Sequence, residues 1–212
     1  MPKSANWDKI VSICKAEGFP DANEVYKKCM LMFNKYRYIK WHKQQSPPKK
    51  KSRKEIEKER RELRSRFLDL FWKPLKGNEK EMEAFVEDAM KTSWFDDLLA
   101  FAIDIILFFD KGKTYRKILE VCYLNADEKD TQLDRQVACG LGKTSFNDKH
   151  KEAVTLIGIE AWMHAKSKEY EDMAKGIVEY HDIYPDNIEE IRDSREYFLH
   201  YFEPRKHRSE KR

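Results

Sequence analysis

Glycine and proline are scarce in this 212-residue chain, seven of each, and runs that alternate β-branched with polar residues are few. Sandwiches and barrels need both the turn residues and the alternation, so their shortage predicts an all-α protein, a multi-helix bundle. Cysteine is limited to Cys14, Cys29, Cys122 and Cys139, with no CxxC pair. That excludes a disulfide framework, and each cysteine falls where a helical face would take a small hydrophobe. The histidines, His42, His150, His164, His181, His200 and His207, show no HxxxH or HExxH spacing, so no metal and no cofactor is expected. The longest apolar run, residues 98–109, is too short to span a bilayer and carries Asp104, and no signal-like segment opens the chain. A cytoplasmic protein without membrane contact is the expectation.

Catalytic signatures are missing too. Residues 140–145, GLGKTS, end like a phosphate-binding loop but lack its earlier glycine and the strand that should precede it. Carboxylate pairs such as Asp96-Asp97 and Glu189-Glu190 lie in no Gly-rich or strand-end setting, so an enzyme is not expected.

What the chain has in abundance is charge, 38% of all residues, distributed unevenly about a net of only +4. Residues 35–66 hold 14 Lys/Arg against 4 Glu, whereas 79–110 hold 9 acids against 2 lysines. Such asymmetry fits one basic working surface, with acidic faces that stay off nucleic acid or meet a basic partner.

Helical periodicity and capping signals divide the chain. Residues 6–17 read as a short helix closed by Gly18 and Pro20. Asp21 with Glu24 forms a capping-box pattern for a helix reaching about Gln44, whose basic and aromatic end (Lys35, Arg37, Lys40, Tyr38, Trp41) suits phosphate contact or plain packing. Pro47 and Pro48 interrupt it within a basic linker. Ser52 with Glu55 opens a charged helix to about Lys73, solvent-exposed for three turns. Asn78 caps the next helix, and Ser93 with Asp96 starts a mostly apolar one, the expected hub of the core. After residue 157 the stripe Trp162, Tyr170, Met173, Ile177, Tyr180 is one long helix or breaks near Gly158. Pro185 opens a last helix before a basic tail, and 168–203 hold 11 acids to 4 bases. The resulting division is a 1–46 helical segment, a 47–52 linker, a 53–112 helical core, a 113–160 DNA-binding region, and 161–212 C-terminal helices and tail.

The stretch 114–157 carries the functional expectation. Ile118, Leu119, Cys122 and Tyr123 mark one buried face of a helix ending near Asn125. A short helix fits 134–139, with Val137 and Ala138 inward, stopping at Gly140 and Gly142, either of which can be the turn glycine. Thr144 or Ser145 can cap a third helix with Phe146, Ala153, Val154 and Ile157 on its buried side and Asn147, Lys149, His150 and Lys151 pointing elsewhere. This order is that of a helix-turn-helix whose third helix puts its first residues on base edges in the major groove. Lys143 can donate to guanine, Asn147 to adenine, Asp148 can accept from cytosine, and Thr144 and Ser145 reach phosphates. Arg135, Gln136, Lys149 and Lys151 complete the candidate DNA-binding set here, with Lys49, Lys50, Lys51 and Arg53 as a basic arm. The alternative is two packed core helices joined by a Gly-rich loop.

Residues 115–123 together with DRQVACGLGKTSFNDKHKEAV (134–154) resemble the C-terminal half of the ArpU-type phage late-gene transcription regulators, themselves similar to the last helix-turn-helix of sigma factors. The match rests on the Ile118 to Tyr123 IL..CY pattern, on Asp134, Val137, Ala138, Leu141, Gly142 and Phe146, and on the Lys149 to Val154 run. It covers about a fifth of the chain, and it departs from the family in lacking a hydrophobe-Ser pair after Leu141-Gly142. The resemblance implies a phage or prophage regulator bound to duplex DNA at a specific late-promoter site, with RNA polymerase and a second copy of the chain as further partners. A small terminase subunit and a helical protein-interaction module without DNA binding are the rival readings.

Overall fold

A computed structural model describes residues 5–19, 21–42, 52–125, 130–181 and 183. Among them the chain is all-helical: α1 (Ala5–Ala16), α2 (Ala22–His42), α3 (Arg53–Trp72), α4 (Glu79–Ala89), α5 (Trp94–Ile106), α6 (Gly112–Leu119) with a π-helical turn (Glu120–Leu124), α7 (Gln132–Cys139) and α8 (Lys143–Ala174). The linker lysines Lys49, Lys50 and Lys51, the expected last helix and the basic tail lie outside the described residues. No helix among the described residues is long and apolar enough to cross a membrane.

The hub is α8, not α5. Its 32 residues, about 48 Å at 1.5 Å per residue, pack against α1, α2, α3, α5, α6 and α7. It runs unbroken through Gly158, which sits where α8 crosses α2: a methyl group there would collide with Cys29 Sγ and touch Phe71. The glycine therefore serves close helix approach and not a bend. A single apolar cluster runs from Trp7 to Ile183. In it Phe19, between α1 and α2, stacks on Trp72 (4.7 Å) and meets Trp162 edge-on (4.9 Å).

Local signals set several boundaries. Ser52 and Glu55 form a reciprocal capping box at α3, and the side chains are exposed as far as Lys58. The matching pattern at α2 does not close. Asp21 Oδ1 accepts from the Asn23 backbone N–H (2.8 Å), while Glu24 reaches across to accept from Leu75 N–H (2.7 Å). On α5, Leu98, Leu99, Ala102, Ile103 and Ile106 are buried, but Phe108 just beyond it is 87% exposed.

Buried ionic groups lock the helices together. Arg64 on α3 bonds to Glu169 and to Asp172 (2.7 Å) on α8. Lys166 on α8 bonds to Glu17 at the end of α1, and Lys28 on α2 donates to the Phe71 carbonyl (2.6 Å) in the last turn of α3. Each is satisfied by a partner, the condition under which a buried charge is tolerated.

The two oppositely charged blocks of the sequence meet each other. Lys35 pairs with Glu87 (2.7 Å) and Glu83 (3.5 Å), Lys40 with Asp96 (3.2 Å), Arg60 with Asp97 (2.5 Å) and Arg66 with Asp88 (3.0 Å). Exposed pairs of this kind add little stability, but they neutralise charge. Four cations of the basic block, Lys35, Lys40, Arg60 and Arg66, thus face α4 and α5 carboxylates, while Arg53 and Lys58 pair within α3 and Arg64 pairs with α8.

Candidate nucleic-acid interface at the start of α8

The candidate interface rests on α6. Tyr115, Ile118, Leu119, Cys122 and Tyr123 are all buried, as their spacing predicts. The π-helical turn swings Tyr123 onto Phe33 (stacked, 4.6 Å) and its hydroxyl onto His150 Nε2 (2.8 Å) and Met30 Sδ (3.1 Å). His150 therefore does not point to solvent. It lies half-buried, parallel to Phe146, and burial together with the nearby Arg135 cation lowers its pKa to about 4.

Both ends of α7 are pinned. Thr131 and Asp134 form a capping box, with Asp134 Oδ2 accepting from the Thr131 N–H (2.9 Å) and hydroxyl (2.6 Å), which lowers the Asp134 pKa. At the other end Gly140 adopts a left-handed φ of 67°, Gly140 N–H donates to Val137 O (2.9 Å) and Leu141 N–H to Gln136 O (3.0 Å). That is a Schellman closure, and it identifies Gly140 as the turn glycine. Gly142, extended, is the N-cap of α8, so Thr144 and Ser145 sit inside the first turn and do not cap it.

This geometry corrects the expected rotation of α7. Val137 is 72% and Leu133 66% exposed, and Ala138 is exposed as well, whereas Gln136 is buried. Gln136 is therefore not a DNA-facing residue. Arg135 is half-buried, donates to the Asp130 carbonyl (3.0 Å) and holds its Nε away from solvent without a hydrogen-bond acceptor.

On α8 the expected inward set, Phe146, Ala153, Val154 and Ile157, is buried. Lys143, Thr144, Asn147 and Asp148 are exposed; Ser145 and Lys149 are half-exposed. Lys151 is engaged elsewhere: its ammonium donates to Asn23 Oδ1 (2.6 Å) and lies over the Trp7 ring (4.2 Å), tying α8 to α1 and α2. Arg53 opens α3, a helix packed on α4 and α8, and pairs with Glu57 (3.0 Å). The structure thus collects Lys143, Thr144, Ser145, Asn147, Asp148 and Lys149 on one short stretch and leaves Gln136, Lys151 and Arg53 out of it.

Two residues outside the sequence-based set enter the site. Gln132 Nε2 donates to Asn147 Oδ1 (3.1 Å), joining α7 to α8, and Lys117 on α6 is near enough to Cys139 to favour its thiolate against the upward push of burial. No local pattern flags Gln132, because its partner lies on another helix. Lys117 is legible only as the exposed neighbour of buried Ile118 and Leu119. Among the described residues no group of three or more His, Cys, Asp or Glu side chains is placed to hold a metal. Compared with family models, with curated proteins and with solved structures, the chain matches none.

Proposed function

We propose that α7, the 140–142 turn and the first turns of α8 bind duplex DNA sequence-specifically, and that the protein is a cytoplasmic transcription regulator of the ArpU kind it resembles. One observation carries the reading. Lys143, Thr144, Asn147 and Asp148 stand in solvent on the opening turns of a helix whose next stretch, Glu152 to Trp162, is buried throughout. A rigid helix with a polar, donor-rich start that follows a three-residue turn is suited to enter a major groove, where lysine and asparagine donors meet purine acceptors. The output of such a site is occupancy of a promoter and not a chemical reaction. Selection of bound duplexes from a random pool, followed by footprinting on the enriched sequence, tests it: a protected site is expected, and an unenriched pool would overturn the reading.

The exposed Leu133 and Val137 on the outer side of α7 favour a second reading, contact with another protein through an apolar helix face. Undetectable affinity for any duplex at low salt would leave that reading standing instead.

A further inference from the structure

The outer face of α6 carries Lys113 and Lys117, one helical turn apart and both exposed, with exposed Lys111 immediately ahead of the helix. Among the described residues none of the three pairs with a carboxylate, in contrast to Lys35, Lys40, Arg60 and Arg66 on α2 and α3. The carboxylates around α6 are mostly taken. Glu120 holds Arg116 (2.7 Å), Asp104 approaches the same guanidinium (3.9 Å), and Glu152 accepts from the Tyr115 hydroxyl (2.9 Å). Asp110 lies exposed in the turn ahead of Lys111.

The arrangement works against stability in three ways. Lys111 takes a left-handed φ of 65°, a conformation that side chains with a Cβ rarely adopt. Lys111 and Lys113 stand at the positive end of the α6 dipole, and no acid occupies that first turn. Lys113 and Lys117 are like charges at i and i+4, which repel. The helix start is closely packed on the preceding turn: Gly112 lies so near the Ile106 and Leu107 carbonyls that a methyl group would collide with them. Three cations are thus held without an ion pair to any described carboxylate, exposed Asp110 being the nearest in sequence.

The stripe leads to the DNA-reading surface. α6 packs directly on α7 and α8, Lys117 lies beside Cys139 at the end of α7, and Lys149, unpaired among the described residues, belongs to the neighbouring turns of α8. Along the axis Lys113 and Lys117 are about 6 Å apart, close enough for both long side chains to reach phosphates of one strand.

We propose that Lys111, Lys113 and Lys117 form a phosphate clamp that grips the DNA backbone beside the groove entered by α8. The clamp rests on the duplex-binding reading and extends it to residues that read no base. Backbone contacts position a protein without sequence preference and release counterions, so their signature is salt dependence.

The experiment uses the full chain with Lys113→Ala/Lys117→Ala, and with Lys76→Ala/Lys80→Ala as a control for net charge. The control pair is equally exposed and unpaired among the described residues but lies on the α3–α4 side. Fluorescence anisotropy is measured against an enriched duplex and a scrambled one across a salt series. The α6 variant should lose affinity for both duplexes by the same factor, on the order of tenfold, with the slope of log K against log salt shallower by about two. Circular dichroism melting should show it folded, and the control should keep the parent slope. An unchanged slope in the α6 variant, or an equal loss in the control, overturns the clamp while leaving duplex binding intact. A parent protein that binds neither duplex overturns the duplex reading and the clamp with it.

Discussion

Gln132 on α7 and Asn147 on α8, fifteen residues apart, are joined side chain to side chain at 3.1 Å, the glutamine amide donating to the asparagine carbonyl. One of the two lone pairs of the Asn147 carbonyl is thereby taken, while its amide N–H groups remain available in solvent. An asparagine that uses both halves of its amide reads adenine N6 and N7; one whose carbonyl is oriented toward a neighbour is biased toward donating to purine N7 or guanine O6. Gln132→Ala should therefore shift base preference at one position of the bound site toward adenine, with little change in overall affinity. Duplex selection run in parallel on parent and variant measures this, and identical enriched sequences would rule out a positioning role for Gln132.

Asn147→Ala should act on affinity instead. Loss of a base contact is worth ~1–3 kcal/mol of discrimination, so specific binding should weaken by roughly tenfold or more while binding to scrambled DNA barely moves. Folding should survive, because Asn147 is exposed and such changes usually cost under about 0.5 kcal/mol. A variant that binds specific and scrambled duplexes with unchanged affinity would remove Asn147 from the reading face.

Phe146 is one residue away and opposite in character. It is buried and lies parallel to the His150 ring at 5.9 Å. Phe146→Ala should lower stability by on the order of 3 kcal/mol, seen as a lower urea midpoint. A harmless Phe146→Ala would mean that the start of α8 is rotated from the position described.

Much of the bundle is legible in the sequence because its signals are local. Ser52 and Glu55 cap α3 with both partners inside one turn, and the Phe146, Ala153, Val154, Ile157 stripe finds its core directly. The same four-residue pattern at Asp21 and Glu24 resolves differently because Leu75 offers Glu24 a backbone donor from another helix. Tertiary competition of that kind leaves no trace in spacing. The rotation of α7 is illegible for a related reason. An eight-residue helix has too few apolar residues to fix its own face, so the capping box at Thr131 and the left-handed Gly140 set its register and turn Val137 outward. Similarly, two charge blocks about forty residues apart in sequence say nothing of whether they will neutralise each other. Only the packing of α2 and α3 on α4 and α5 decides that.

Buried Glu160 and half-buried His150, both on α8, pull the pH dependence of stability in opposite directions. Burial, with Glu17 nearby, raises Glu160 from 4.5 to about 7, and burial lowers His150 from 6.5 to about 4. A carboxyl with a raised folded-state pKa contributes stability fully below 4.5 and loses it as pH rises through 7. A histidine with a depressed one contributes fully above 6.5 and loses that contribution as pH falls through 4. Between pH 4.5 and 6.5 the two slopes oppose. Glu160→Gln should leave the opposing histidine slope, to which His164, also lowered by burial, adds in the same direction, and raise stability at pH 8 by on the order of 3 kcal/mol. Urea unfolding of parent and variant from pH 4.5 to 8 checks this, and parallel curves would show that Glu160 does not titrate in that window.

Gly158 and Cys29 test the crossing of α8 on α2. Replacing a mid-helix glycine by alanine ordinarily stabilises by up to about 1 kcal/mol, but here the added methyl group meets Cys29 Sγ, with Phe71 Cζ at 3.4 Å. Overpacking costs typically about 1–3 kcal/mol, so the net effect of Gly158→Ala should be destabilising. Cys29→Ala alone should also destabilise, because it removes a buried sulfur from the core. Combined, the two changes exchange one small group for another across the same contact, and the alanine at 158 keeps its helix preference. The double variant should therefore be more stable than the sum of the singles predicts, with a coupling of about 1 kcal/mol or more, within the range for residues in direct contact. A double-mutant cycle by urea unfolding measures it. Strict additivity would mean that α8 and α2 can separate at this point without cost, and that Gly158 is not what sets their approach.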